Sequence, residues 1–197
     1  HMSDGHHTLE MDEYAFENVC VNCHDEEGGV PLTADNFLEI FIDEQAVPFE
    51  NAMDLAKAKL AAAPYNMEYD PANYPYFFQV GTAHVRENGV VDWTRGGALT
   101  AAQAEKLMGA CFNINVLSRD PAAYVHARTY TRRLLYDTID WLDDKTINMS
   151  TGATALAWDG SIYKKDTTSG GITTESYKYL AKYDRTSGAW DTSSQRP

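Results

Sequence analysis

The residues best placed to do chemistry stand together at Cys20-Val21-Asn22-Cys23-His24. Two thiols separated by two residues can form thioethers with the two vinyl groups of one porphyrin, while the adjacent imidazole reaches the iron from one face. Cys-x-x-Cys-His is the attachment signature of haem c. Three other readings of the pair are weaker. Half a zinc site wants a second close pair of ligands, and Cys111 is the one cysteine left among three. A thioredoxin-like redox pair sits at a strand-to-helix turn, whereas a helical pattern precedes this motif. A structural disulfide leaves His24 without a purpose. The motif therefore predicts one covalently attached haem c, held by Cys20 and Cys23 with His24 as the proximal iron ligand.

The opposite face of the iron sets potential and function. His126 is the leading candidate for the second axial ligand, with Met108 and His84 as alternatives and an open position as a further one. Arg128, Arg132 and Arg133 would pair the haem propionates if His126 faces the iron; otherwise they are surface charge. Cys111 falls on a helical stripe and reads as a buried small hydrophobe.

These residues need elements to carry them. The pattern from Glu10 to Asn18 predicts a short helix that delivers the motif at its C-terminal end. Thr33 is a suitable N-cap for a second helix, and Met53, Ala56, Leu60 and Ala63 fall at helical spacing within a third, over 50–63. Pro64, Pro71 and Pro75 forbid regular helix across 64–76. A small hairpin is expected within 81–97, turning at Glu87-Asn88-Gly89. Thr100 caps a helix to about Ser118, with Leu107, Met108, Cys111 and Ile114 on its buried stripe. Asp120-Pro121 reads as the cap and first position of the next helix, which runs to about Leu142 with Tyr130, Leu134, Ile139, Trp141 and Leu142 as core. Beyond Asp144, Thr, Ser and Gly dominate up to a short helix at 174–183. The expectation is a mainly α c-type cytochrome domain with long loops and an irregular C-terminal extension. It divides into a disordered tail at 1–8 that begins with a cloning scar, a haem-binding helical domain at 9–145, and an extension at 146–197 that packs on it.

At 197 residues the chain suits one domain. A net charge of −13 excludes nucleic acid, whose phosphates require clustered Lys and Arg, and favours redox partners with basic surfaces or other cytochromes. The sequence contains no run of about 20 apolar residues to span a bilayer.

Three stretches carry a family resemblance: 99–113 (LTAAQAEKLMGACFN), 120–126 (DPAAYVH) and 130–143 (YTRRLLYDTIDWLD). Together with 175–183 (ESYKYLAKY), 187–190 (SGAW) and the final Arg196-Pro197, they resemble a C-terminal module of exported c-type cytochromes of metal-reducing, Geobacter-type deltaproteobacteria. The resemblance implies periplasmic or extracellular electron transfer, sometimes as one part of a larger multihaem chain. It also favours His126 as a ligand or fixture, while Cys111 stands where Ala or Ser is expected. Haem c attachment itself takes place outside the cytoplasm. The expected role is an electron carrier and not an enzyme. A haem sensor or peroxidase-like enzyme with open iron is the alternative, as is an assembly module of a larger multihaem cytochrome.

Overall fold

The computed structural model describes residues 13–22, 25–27, 30–37, 39, 44–120, 122–125, 127–165, 173–186, 188–191 and 196–197. Seven α-helices and three two-stranded antiparallel ribbons are found among them. The protein is mainly helical, as the sequence periodicity predicts. None of the described helices is long and apolar enough to cross a membrane.

The N-terminal unit is small. Helix α1 (Glu13–Asn18) is followed by a 3-10 turn (Cys20–Asn22), so the first motif cysteine leaves the helix within two residues of its end. The ribbon β1 (Glu26–Glu27)–β2 (Val30–Pro31) and helix α2 (Ala34–Phe37) follow. Thr33 caps α2 reciprocally: its Oγ1 accepts from the Asn36 N–H at 3.3 Å, and its own N–H donates to Asn36 Oδ1 at 2.7 Å. Asn thus serves where the capping box usually has Glu or Gln.

Helix α3 (Glu44–Ala61) starts six residues before its expected position. Its Ala52, Leu55, Ala56 and Leu60 are fully buried. The hairpin lies earlier than predicted. It is β3 (Met67–Tyr69), inside the Pro- and Tyr-rich segment, with β4 (Phe77–Gln79) directly after it, and Glu87-Asn88-Gly89 instead shapes a 3-10 turn at Arg86–Asn88. Asp70 explains the difference. Its carboxylate accepts from the Ala72 N–H and from Asn73 Nδ2, both at 2.8 Å, and closes the turn between the strands. Gly89 is required for another reason: a Cβ there would stand 2.3 Å from Pro75 Cγ.

Helix α4 (Ala101–Arg119) opens on a full Thr100–Gln103 capping box. Leu107, Cys111 and Ile114 are buried as expected, but Met108 is half exposed. It lies one position past Leu107, and the helix turns about 100° per residue, which carries it off the buried stripe.

Helix α5 (Arg128–Asp144) begins seven residues later than Asp120-Pro121 suggests. Asp120 Oδ1 accepts from the Ala122 N–H at 3.0 Å, and the Asp120 carbonyl accepts from the Ala123 N–H. The segment therefore turns and does not continue as helix. Ala127, at φ 44°, resets the direction before α5 starts. Tyr130 is two-thirds exposed, not a core residue, whereas Leu135, Tyr136, Ile139, Trp141 and Leu142 are buried.

The composition of 146–173 conceals helix α6 (Thr151–Trp158), in which Thr151, Gly152, Thr154 and Ala155 are buried. Helix α7 (Glu175–Tyr179) is shorter than predicted and gives way to the ribbon β5 (Lys182–Asp184)–β6 (Ala189–Asp191). Ala155, Tyr163, Tyr179 and Leu180 belong to the same core as α3, α4 and α5. Arg132 ties this region down: Nε donates to the Tyr179 carbonyl at 2.8 Å, and Nη2 to those of Lys178 and Ala181 at 3.0 and 2.9 Å. Arg133 Nε donates to the Pro197 carbonyl at 2.8 Å. Both guanidiniums, read from sequence as propionate partners or surface charge, hold backbone carbonyls of the C-terminal segment.

Candidate haem-attachment site

Cys20 is 5% exposed and packs in a cluster with Phe16, Leu32 and Phe37, separate from the main core. The rings of Phe16 and Phe37 meet at 4.6 Å. Local sequence makes this cluster. Phe16 lies four residues before Cys20, one turn back along α1, and the capped α2 swings Phe37 over both. Burial pushes the Cys20 thiol above its ordinary pKa, so it is a neutral, apolar group here, not a preformed thiolate. Cys23 and His24 lie outside the described residues.

A distant segment completes the cluster. Tyr124 and Val125, about a hundred positions along the chain, pack against it together with Val21 and Ala34. Tyr124 also packs on the main core and stands 6.3 Å, ring to ring, from Phe49 of α3. Residues 122–125, which turn rather than form a helix, therefore lie beside Cys20. His126 itself falls outside the described residues. It is adjacent in sequence to Val125.

The two alternative iron ligands are both among the described residues. Met108 is on the exposed side of α4. His84 has both ring nitrogens engaged: Nδ1 lies 2.8 Å from Asp70 Oδ2 and Nε2 lies 3.1 Å from Glu68 Oε2. Its ring stacks on Phe78 at 4.7 Å. With a carboxylate on each nitrogen, His84 clamps the loop after β4 onto the hairpin. The pair of hydrogen bonds raises the His84 pKa above the ordinary 6.5, and Asp70, bonded by Asn73, Ala72 and His84, is held down at about 2. A histidine whose folded pKa is raised contributes stability that is complete below its unfolded pKa and disappears as pH rises through the folded value. Asp70 contributes stability above its unfolded 3.8 that disappears as pH falls towards about 2. The clamp is therefore strongest between these limits. The thermal midpoint of the parent should decrease as pH rises from the ordinary imidazole range into the alkaline range, and that of His84→Asn should stay flatter over the same interval; parallel curves would show that the clamp is not a charged pair.

Cys111 is 2% exposed, and burial pushes its thiol well above the ordinary range. It is a core hydrophobe, as its helical position predicts.

The described part of the site fits a haem thioether. Cys20 is buried in an apolar, aromatic cluster built by α1 and α2, and Tyr124, which also packs on the main core, packs against it. Cytochromes of the c type are the class of protein in which such a motif is found, and this chain is similar to them in sequence. It is 31% identical over 138 residues to the C-type polyheme cytochrome OmcC of Geobacter sulfurreducens, across 66% of this chain and 16% of that protein. It is also 31% identical over 138 residues to the C-type polyheme cytochrome OmcB from two strains of the same species, across 66% of this chain and 17% of each relative. The resemblance to a Geobacter cytochrome module seen in the sequence thus has matching relatives. The chain spans about a sixth of the length of the curated relatives it matches. No family model matches the chain, and no solved structure does.

Proposed function

We propose that this chain is a single-haem c-type cytochrome unit that transfers electrons outside the cytoplasm. One haem c, anchored by Cys20 and Cys23, would supply an iron that cycles between ferrous and ferric states. His24 would hold that iron from the proximal side and His126 from the distal side. The observation that carries the reading is the Cys-x-x-Cys-His motif whose first cysteine is buried among Phe16, Leu32 and Phe37. The similarity to polyheme cytochromes supports it. Support for His126 comes from its neighbours Tyr124 and Val125, which pack against the Cys20 cluster.

The residues of the chain have distinct tasks in this reading. Phe16, Leu32 and Phe37 exclude water from the first thioether. Tyr124 and Val125 join that cluster to the segment bearing His126, so both axial imidazoles would ride on chain fixed by packing. A fixed ligand pair keeps reorganisation on electron transfer small. The net charge of −13 suits encounter with a basic redox partner or a positively charged region of another cytochrome.

The test is maturation in a host that exports the chain and attaches haem. The parent should carry the mass of the polypeptide plus one haem, retain it under denaturing conditions, and show the haemochrome bands of a thioether-linked haem. Cys20→Ala combined with Cys23→Ala should abolish covalent haem, reducing the haem-to-protein ratio from one to zero. A parent with bare polypeptide mass and no Soret absorbance would remove the basis of the proposal.

A further inference from the structure

Between the two motif cysteines stands a side chain that is tied back to the helix before them. Helix α1 ends at Asn18, and the 3-10 turn Cys20–Asn22 follows almost at once. The last carbonyls of a helix have no partner within it. Asn22 supplies a donor to this end: its Nδ2 donates to the Val19 carbonyl at 3.2 Å, with a weaker second branch to the Asn18 carbonyl at 3.5 Å. Asn18 reaches back in the same way one turn earlier, its Nδ2 donating to the Tyr14 carbonyl at 2.9 Å. A short side-chain amide of this kind competes well for nearby backbone groups.

The two halves of the motif are therefore placed by different means. Cys20 is held by its packing with Phe16, Leu32 and Phe37. Asn22 is exposed, so its bond to the end of α1, rather than burial, restrains the chain there. Cys23 follows it directly in sequence. A porphyrin is rigid, and its two vinyl groups set the spacing that the two thiols must meet. We propose that Asn22 is a positioning residue for haem attachment: by tying the chain between the cysteines to the end of α1, its amide brings the second thiol within reach of its vinyl group once the first thioether has formed. The inference rests on the reading of one covalent haem and adds a residue that governs how completely that haem is attached. Each attachment adds a thiol across a vinyl double bond. The S–C bond forms at the vinyl carbon next to the ring, the thiol hydrogen goes to the terminal carbon, nothing leaves, and no outside oxidant or reductant takes part. Chains with one thioether and with two thus have the same mass, but the former keep a free motif thiol.

The test counts thiols in haem-loaded protein matured in an exporting host, by the mass gained on alkylation with iodoacetamide under denaturing conditions. The parent should gain one label, at Cys111. Asn22→Ala should contain a several-fold larger share of chains with two labels, the additional one mapping to Cys23, and its haemochrome band should shift to the red as a vinyl group is retained. Asn22→Asp has nearly the same shape but no N–H to donate, and should behave as Asn22→Ala does. Asn22→Gln keeps the amide donor and should recover most of the double attachment. Asn18→Ala removes the equivalent bond inside α1 without touching the link between the cysteines, and should label as the parent does. Complete double attachment in both Asn22→Ala and Asn22→Asp, or an equal defect in Asn18→Ala, would overturn the positioning role while leaving the haem in place. A parent with bare polypeptide mass would overturn the haem reading and this inference with it.

Discussion

Replacing Asp140 with alanine should cost the protein about 3 kcal/mol and lower its thermal midpoint by about 6–12 °C. Asp140 is fully buried on α5. Its Oδ2 accepts from the backbone N–H groups of Asn148 and Met149, both at 2.8 Å, and its Oδ1 accepts from the Ser150 N–H at 2.7 Å and from Ser150 Oγ at 3.0 Å. A single carboxylate thus receives three consecutive amides where the chain reverses into α6. Lys145 and Met149 both stand at positive φ in this reversal, at 68° and 66°, so the bends have no stability of their own to spare. Hydrogen bonds to a charged acceptor contribute about 1.5–3 kcal/mol each. They share one side chain, and the exposed amides of Asn148 and Met149 can turn to water in the variant, so the total falls well below their sum. Asp140→Asn retains one acceptor oxygen and should lose roughly half as much. Chemical denaturation of the two variants beside the parent measures the difference. A midpoint in Asp140→Ala within a degree or two of the parent would mean that packing alone, through Thr151 and Ala155, holds α6 on α5.

Asp140 also marks the boundary of what sequence alone conveys. Helix α4 is legible because its signals are local: Thr100 and Gln103 make a reciprocal cap, and Leu107, Ala110, Cys111, Ile114 and Leu117 recur at helical spacing. Helix α6 is not. Its buried residues are Thr, Gly and Ala, which carry little hydrophobic periodicity and resemble linker composition, and its two large apolar residues, Leu156 and Trp158, are exposed. What makes them helical is tertiary: small side chains allow close approach to α5, Thr151 Oγ1 donates to the Tyr136 carbonyl at 3.1 Å, and Thr154 Oγ1 donates to Asp143 at 2.7 Å. The Asp120-Pro121 pair misleads for the opposite reason. It has the residue types of a helix start, yet the Asp120 carboxylate is used within a tight turn, and only the later left-handed Ala127 releases the chain into α5.

The candidate site divides in the same way. The motif and the helix that delivers it are written in consecutive residues, and the cluster of Phe16, Cys20, Leu32 and Phe37 is built within about twenty positions. That Tyr124 and Val125 come back to close it depends on how α3, α4 and the turn segment pack, and no short-range pattern encodes that contact. The same is true of His84. As one histidine in a Gly-containing loop it has the chemistry of a ligand, and its two carboxylates are brought to it by the hairpin register that pairs Glu68 with Phe78.

Packing of Tyr124 and Val125 on the Cys20 cluster makes His126 the position at which substitution should most change the iron. In haem-loaded protein with two imidazole ligands, the oxidised iron is low-spin and the reduced iron does not take up carbon monoxide. His126→Gly should free one axial site: the oxidised spectrum should shift to high-spin, carbon monoxide binding to the reduced form should go from undetectable to saturating, and added imidazole should restore the low-spin spectrum. Met108→Ala should leave the spectrum as in the parent, because Met108 faces away from the core on α4. His84→Asn should do the same, because the carboxylates of Asp70 and Glu68 already hold both of its ring nitrogens. Rescue by imidazole distinguishes a lost ligand from a disturbed fold, since a free imidazole can replace a missing side chain but cannot repair packing. An unchanged spectrum in His126→Gly would move the distal ligand elsewhere in the chain, and carbon monoxide binding by the parent itself would make the iron an open site and favour sensing or peroxide chemistry over electron transfer.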